Sequence, residues 1–226
     1  MADAARQSPR PRPKGRGPHP LPVFLSLASR RLASEPERLA AVLEGLKRYQ
    51  AAPVPTAMPA MPEVARRGGV RLLAAGGPSD GPPLVVVPSL INAPAVLDLA
   101  PGRSLVRFLA DHGHRVLLLD WGPMSASERR LGLAGLVSAR LMPLLMRLEG
   151  PVRLLGYCLG GTLALAAGHL LGARLERLAL IAAPWHFDGF GPQARLRALE
   201  TWTAVRPIGR GLGAVPISLL NPLFWS

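Results

Sequence analysis

Four apolar runs constrain this chain most: "PPLVVVPSL" (82–90), "HRVLLLDWG" (114–122), "PVRLLGYC" (151–158) and "RLERLALIAAP" (174–184). None alternates polar with apolar residues, which is how a strand reads when neither of its faces meets water. A glycine- or proline-bearing turn follows each run, and helical patterns fill the gaps at about 104–112, 127–148 and 159–172. Strand–helix alternation of this kind predicts a parallel sheet covered by helices, in the order β-α-β-α-β-α-β. "VRLLAAG" (70–76) is a weaker strand candidate ahead of them. All these runs fall far short of the ~18–20 residues needed to cross a bilayer, so no transmembrane segment is expected.

The flanks read differently. Through Arg31, seven basic residues (Arg6, Arg10, Arg12, Lys14, Arg16, Arg30, Arg31) face one acid, Asp3, and supply nearly half of the net charge of +13. Residues 1–31 are therefore expected to be a disordered, solvated Pro/Arg-rich tail. Nucleic-acid binding is not expected of it, because no aromatic residues interleave the charges. "LPVFLSLAS" lacks the length and cleavage pattern of a signal peptide. In residues 32–69, Ser34, Pro36 and Glu37 read as a capped helix start. That helix would run to about Tyr49 with Leu39, Val42, Leu43 and Leu46 on one face, before a proline-rich linker. The core is expected over 70–190. One cysteine in 226 residues excludes an intramolecular disulfide and makes a reducing cytoplasm the expected location.

That cysteine, Cys158, falls where the third strong strand ends and a helix begins, inside Gly156-x-Cys158-x-Gly160. This is the nucleophile-elbow pattern, in which the reactive side chain stands on a very tight strand-to-helix turn. Side chains at ±2 would collide there, and glycine alone leaves the space empty. The turn aims the amide of Leu159 at the nucleophile's target, and the helix N-terminus favours negative charge on a sulfur or an acyl oxygen. A second oxyanion donor is expected from the loop after the 82–90 strand, at Leu90 or Ile91. Asn92 borders that loop and reads equally well as a turn former. The competing reading of Cys158 is a small apolar side chain packed behind a glycine-rich turn.

The string Gly156-Tyr157-Cys158-Leu159-Gly160-Gly161-Thr162 resembles the lipase-like box of the polyhydroxyalkanoate synthases, α/β-hydrolase-fold enzymes with cysteine as nucleophile. "PLVVVPSLINAPAVLDLAPGRSLVRFLADHGHRVLLLDWG" (83–122) is similar to the same family, and "LIAAPWHF" fits the strand after the box. The resemblance covers about 70–187 and implies an α/β-hydrolase-type, mostly parallel sheet flanked by helices. It also implies that Cys158 attacks the thioester of a 3-hydroxyacyl-CoA, releases CoA and passes the acyl group to another chain's hydroxyl. CoA enters as part of the substrate, and no cofactor or metal is expected. Polyester granule surface and a second copy of the chain are the further partners that the resemblance suggests.

A thiol nucleophile needs a histidine, and the histidine an acid, with both following the nucleophile in hydrolase chains. After Cys158 the chain offers only His169, His186 and Asp188 to these roles. His169 lies too far along the next helix, His186 comes one strand early, and Asp188 is the candidate acid. His112 and His114 read as structural, and His19 lies in the tail. The expectation is therefore the N-terminal two-thirds of a synthase-like hydrolase, with its last strands absent and residues 191–226 as the start of a cap. Activity is expected to be impaired. A thioesterase or esterase using water stays open as an alternative, as does a non-catalytic remnant that binds acyl-CoA or polymer granules. Arg103, Arg107, Arg129 and Arg130 are candidates for attracting the CoA phosphates.

Overall fold

All four apolar runs become strands, and they lie side by side. In chain order the strands are β1 (Glu63–Arg67), β2 (Val70–Gly76), β3 (Leu84–Val87), β4 (Asp98–Ala100), β5 (Arg103–Ser104), β6 (Val116–Asp120), β7 (Val152–Tyr157) and β8 (Leu175–Ile181). The helices are α1 (Leu21–Arg31), α2 (Pro36–Ala51), α3 (Leu105–Asp111), α4 (Leu133–Leu136), α5 (Met142–Leu145), α6 (Leu159–Leu171) and α7 (Gly191–Leu212). This computed structural model describes residues 21–53, 58–212 and 215.

The main sheet runs β1-β2-β6-β3-β7-β8. Its β6, β3, β7 and β8 are mutually parallel, while β1 and β2 join antiparallel at one edge. This is the α/β-hydrolase arrangement, a mostly parallel sheet with helices on both faces. Strand alternation divides the core in two. Val85, Val87, Leu117, Leu119 and Leu154 pack on one face with Leu141, Leu144, Leu145 and Leu163. Leu84, Val86, Val116, Leu118 and Leu155 pack on the other with Val106 and Ala110 of α3. Each such side chain contributes about 1.5–3 kcal/mol by leaving water, so the central strands are the best-secured part of the sheet. The edge strand β8 differs, since Ala179, Leu180 and Ile181 are all exposed.

The chain divides into two units, one spanning Pro55–Phe190 and holding the sheet, the other holding α1, α2 and α7. In the second unit, α1 occupies part of the stretch expected to be a disordered tail. Its apolar residues explain the difference: Phe24, Leu25 and Leu27 are half-buried and Ala28 is buried, while Pro22 sits in the first turn, where proline is tolerated. Residues 1–20 lie outside the described residues. The start of α2 is also not as expected, because Glu35 is its N-cap and no side chain caps it. Of the residues expected to form a cap, 191–212 are the helix α7, and 213, 214 and 216–226 lie outside the described residues.

In the sheet unit, the stretch expected to be a linker contains β1. Its sequence Glu-Val-Ala-Arg-Arg is polar because an edge strand keeps most of its residues in water. The expected long helix over 127–148 is broken into a 3-10 turn (Glu128–Arg130), α4, a π-helical turn (Val137–Leu141) and α5. Pro143 supplies the cause: it has no N–H to give and its ring crowds the carbonyl four residues back, so the preceding turn widens. Among the described residues, no helix is long and apolar enough to cross a membrane.

Candidate active site

Between β7 and α6 the backbone reverses direction within one residue. Cys158 takes φ 55° and ψ −131°, a conformation that costs an L-residue about 1–3 kcal/mol and has to be held by its surroundings. Two hydrogen bonds hold it. The Cys158 N–H donates to Ile181 O at 2.9 Å, and the Gly161 N–H donates to Cys158 O at 2.8 Å. The side chain is partly exposed and makes no disulfide.

The flanking glycines are required by close approach. A Cβ on Gly156 would meet the Cα of Gly161 and, at 2.9 Å, the Cβ of Ala164. A Cβ on Gly160 would run into the carbonyl oxygens of Val87 and Pro88. The first turn of α6 therefore lies directly against the end of β3 and its loop. As the first residue of α6, Leu159 has no intrahelical acceptor for its N–H.

The loop after β3 is secured at several points. Ser89 is 1% exposed, and its Oγ accepts the Ile91 N–H at 3.2 Å. The Ile91 amide is thus engaged, whereas the Leu90 N–H has no acceptor among the described residues. Leu90 itself is half-buried against the core, and Asn92 is exposed. Trp121, at the end of β6, donates its indole N–H to Pro88 O at 2.9 Å. Trp121 is fixed in turn by Arg140, whose Nη2 donates to Trp121 O at 2.5 Å and Pro123 O at 3.2 Å. Arg140 is 1% exposed, and its Nε lies 3.3 Å from Glu128 Oε1. On the other side of the turn, Thr162 Oγ1 donates to Pro184 O at 2.6 Å and ties the loop after β8 to α6.

Among the described residues, no histidine is hydrogen-bonded to the sulfur. His169 lies eleven residues beyond Cys158, roughly 16 Å along the helix, in an apolar groove beside Leu165, Leu170 and Trp185. His186 and Asp188 are exposed, beside and on a 3-10 turn (Phe187–Phe190). His112 donates from Nδ1 to Phe108 O at 2.8 Å, and His114 is half-buried at the entry to β6. His19 lies outside the described residues.

Arg107, a candidate phosphate contact, is committed elsewhere. It forms a two-pronged ion pair with Asp98 at 2.9 and 3.0 Å and also donates to Pro59 O at 2.6 Å. Burial pushes the Asp98 carboxyl up, but hydrogen bonds from Arg107 and Ser104 and the charge of Arg107 outweigh it. The net result lies below the usual 3.8. Arg129 donates to Met124 O, while Arg103 and Arg130 remain exposed.

Sequence reasoning placed Cys158, Leu159 and the β3 loop but missed Ser89, Trp121, Arg140 and Thr162. Only Trp121 carried a signal, since an indole N–H at the end of a buried strand has to find an acceptor.

Comparison with known proteins agrees with the resemblance. The poly(3-hydroxyalkanoate) polymerase subunit PhaC of Haloferax mediterranei is 32% identical over 144 residues, covering 62% of this chain and 29% of the relative. The corresponding subunit of Allochromatium vinosum is 30% identical over 157 residues, covering 67% of this chain and 44% of the relative. The chain thus spans less than half the length of these relatives. Among solved structures, the thioesterase domain from the curacin biosynthetic pathway superposes with a TM-score of 0.46 at 16% identity, covering 72% of this chain and 66% of that one. No protein-family model matches the chain.

Proposed function

We propose that this chain carries the nucleophile and oxyanion side of a polyhydroxyalkanoate-synthase-type acyltransferase. The sulfur of Cys158 attacks the thioester carbonyl of a 3-hydroxyacyl-CoA. A new C–S bond forms, the bond to CoA breaks, and CoA leaves as its thiol with the proton that Cys158 gives up. The hydroxyl of a second 3-hydroxyacyl unit then takes the acyl group and returns the proton to the sulfur. Leu159 and Leu90 donate their amides to the oxyanion, in preference to Ile91, whose N–H is already engaged. Exchange of one thioester for another keeps the acyl group activated, so the reaction needs no cofactor.

The observation that carries this reading is the conformation of Cys158: φ 55° at the end of a central strand, between two glycines that admit no side chain. Similarity to the polymerase subunits supports the choice of substrate. With no histidine at the sulfur among the described residues, acylation should be slow, since general-base assistance contributes about 10²–10⁴-fold.

The test is incubation with 3-hydroxybutyryl-CoA, followed by intact-mass measurement and product analysis. An acyl adduct that disappears in Cys158→Ala supports the reading; an unmodified protein overturns it. Oligomeric ester as product shows transfer to a hydroxyl, and free hydroxy acid shows water as the acceptor. Asp188 is the acid we assign, and an unchanged acylation rate in Asp188→Asn would remove it from the site.

A further inference from the structure

Pro88 ends the hydrogen-bonded register of β3, whose last partner pair is Val87 with Gly156. A proline has no N–H, so the loop that follows cannot be anchored by continuing the ladder. Its carbonyl is anchored instead, and from two directions. The indole N–H of Trp121, 33 residues away, donates to it at 2.9 Å, and the first turn of α6 closes on it so tightly that Gly160 has no room for a Cβ. Trp121 is only 5% exposed. Phenylalanine would fill most, but not all, of its place in the core; the indole adds one directed bond, and that bond ends on the loop packed against the first turn of α6.

We infer that Trp121 is a positioning residue for acyl transfer. Its N–H sets the height of Pro88 O and, through Ser89, presents the Leu90 amide toward the acyl oxygen. Arg140 keeps the indole at that height by holding the Trp121 and Pro123 carbonyls. Without the indole bond the loop remains packed, but its donor is misplaced. This inference rests on the acyltransferase reading and adds to it a residue that touches neither substrate nor sulfur.

Two reactions of the same sulfur separate positioning from general damage. Iodoacetamide alkylates Cys158 by displacing iodide, with the thiol proton passing to solvent, and no oxyanion forms at any stage. Acylation by 3-hydroxybutyryl-CoA passes through a tetrahedral oxyanion. In Trp121→Phe the acylation rate should fall about 10–100-fold, while alkylation stays within about twofold of the unaltered chain. Should the phenylalanine variant fail to fold, benzothienylalanine at position 121 keeps the bicyclic shape without the N–H and should give the same split. Equal acylation rates with and without the N–H, or a parallel loss of both reactions in a folded variant, would overturn the inference. An unaltered chain that is alkylated but never acylated would instead remove the acyltransferase reading, and the positioning role with it.

Discussion

On the β3–β6 side of Cys158, Pro88, Ser89, Trp121 and Gly160 are buried and joined by hydrogen bonds and close backbone contacts. On the β8 side, Leu180, Ile181, Trp185, His186 and Asp188 are exposed, and the hydrogen bonds from Cys158 N–H to Ile181 O and from Thr162 to Pro184 O tie this side to the turn. The difference follows the demands of the chemistry. An oxyanion is stabilised by main-chain amides fixed before the reaction, so that side has to be rigid. Proton transfer needs a side chain with the right partner, and the candidates on the β8 side, His186 and Asp188, are exposed. The two sides of the turn therefore differ in how firmly their groups are held.

Substitutions on the two sides should separate sharply. The largest effect is expected at Gly160→Ala, whose Cβ collides with two backbone carbonyls that cannot step aside. Urea unfolding should show a loss of about 3 kcal/mol, and a near-normal midpoint would mean that the α6–β3 contact is looser than described. Arg140→Met comes next, because it frees the Trp121 and Pro123 carbonyls and leaves Glu128 without its cation. The expected loss is about 2 kcal/mol, less than for a fully buried pair because Glu128 is partly exposed.

Asp98→Asn tests a pair that stabilises the same unit away from the sulfur. Because the folded carboxyl titrates below its unfolded value, its stabilisation is complete above about pH 3.8 and is lost as pH falls through the folded value. The variant should lose about 1 kcal/mol at neutral pH and show a shallower decline in acid, read from unfolding curves between pH 2 and 7. The smallest effect belongs to the β8 side. His186→Ala should move the unfolding free energy by less than about 0.5 kcal/mol, and a larger shift would show that this side is as tightly held as the other.

Much of this was legible in the chain. Five of the seven strands from 70 onward, with α3 and α6, follow from apolar runs and helical periods; in β3, β6 and β7 burial on both faces leaves few polar residues to mask the pattern. The strand β1 escaped notice because an edge strand such as Glu63–Arg67 looks like any polar connection. The widened turn before Pro143 was hidden inside an otherwise continuous helical pattern. At the site, the glycines around Cys158 announced the tight turn. The bonds that brace the neighbouring loop join residues 33 and 19 positions apart and left almost no local trace.

The sequence alone determined that a thiol would stand at the end of a central parallel strand, because apolar runs and the two glycines are local consequences of burial and crowding. Only the tertiary structure decided which amide of the β3 loop is free, which indole braces it, and that no histidine reaches the sulfur among the described residues. Those outcomes depend on how distant segments meet, and a hydrogen bond between distant residues imposes no period or spacing on the chain that forms it.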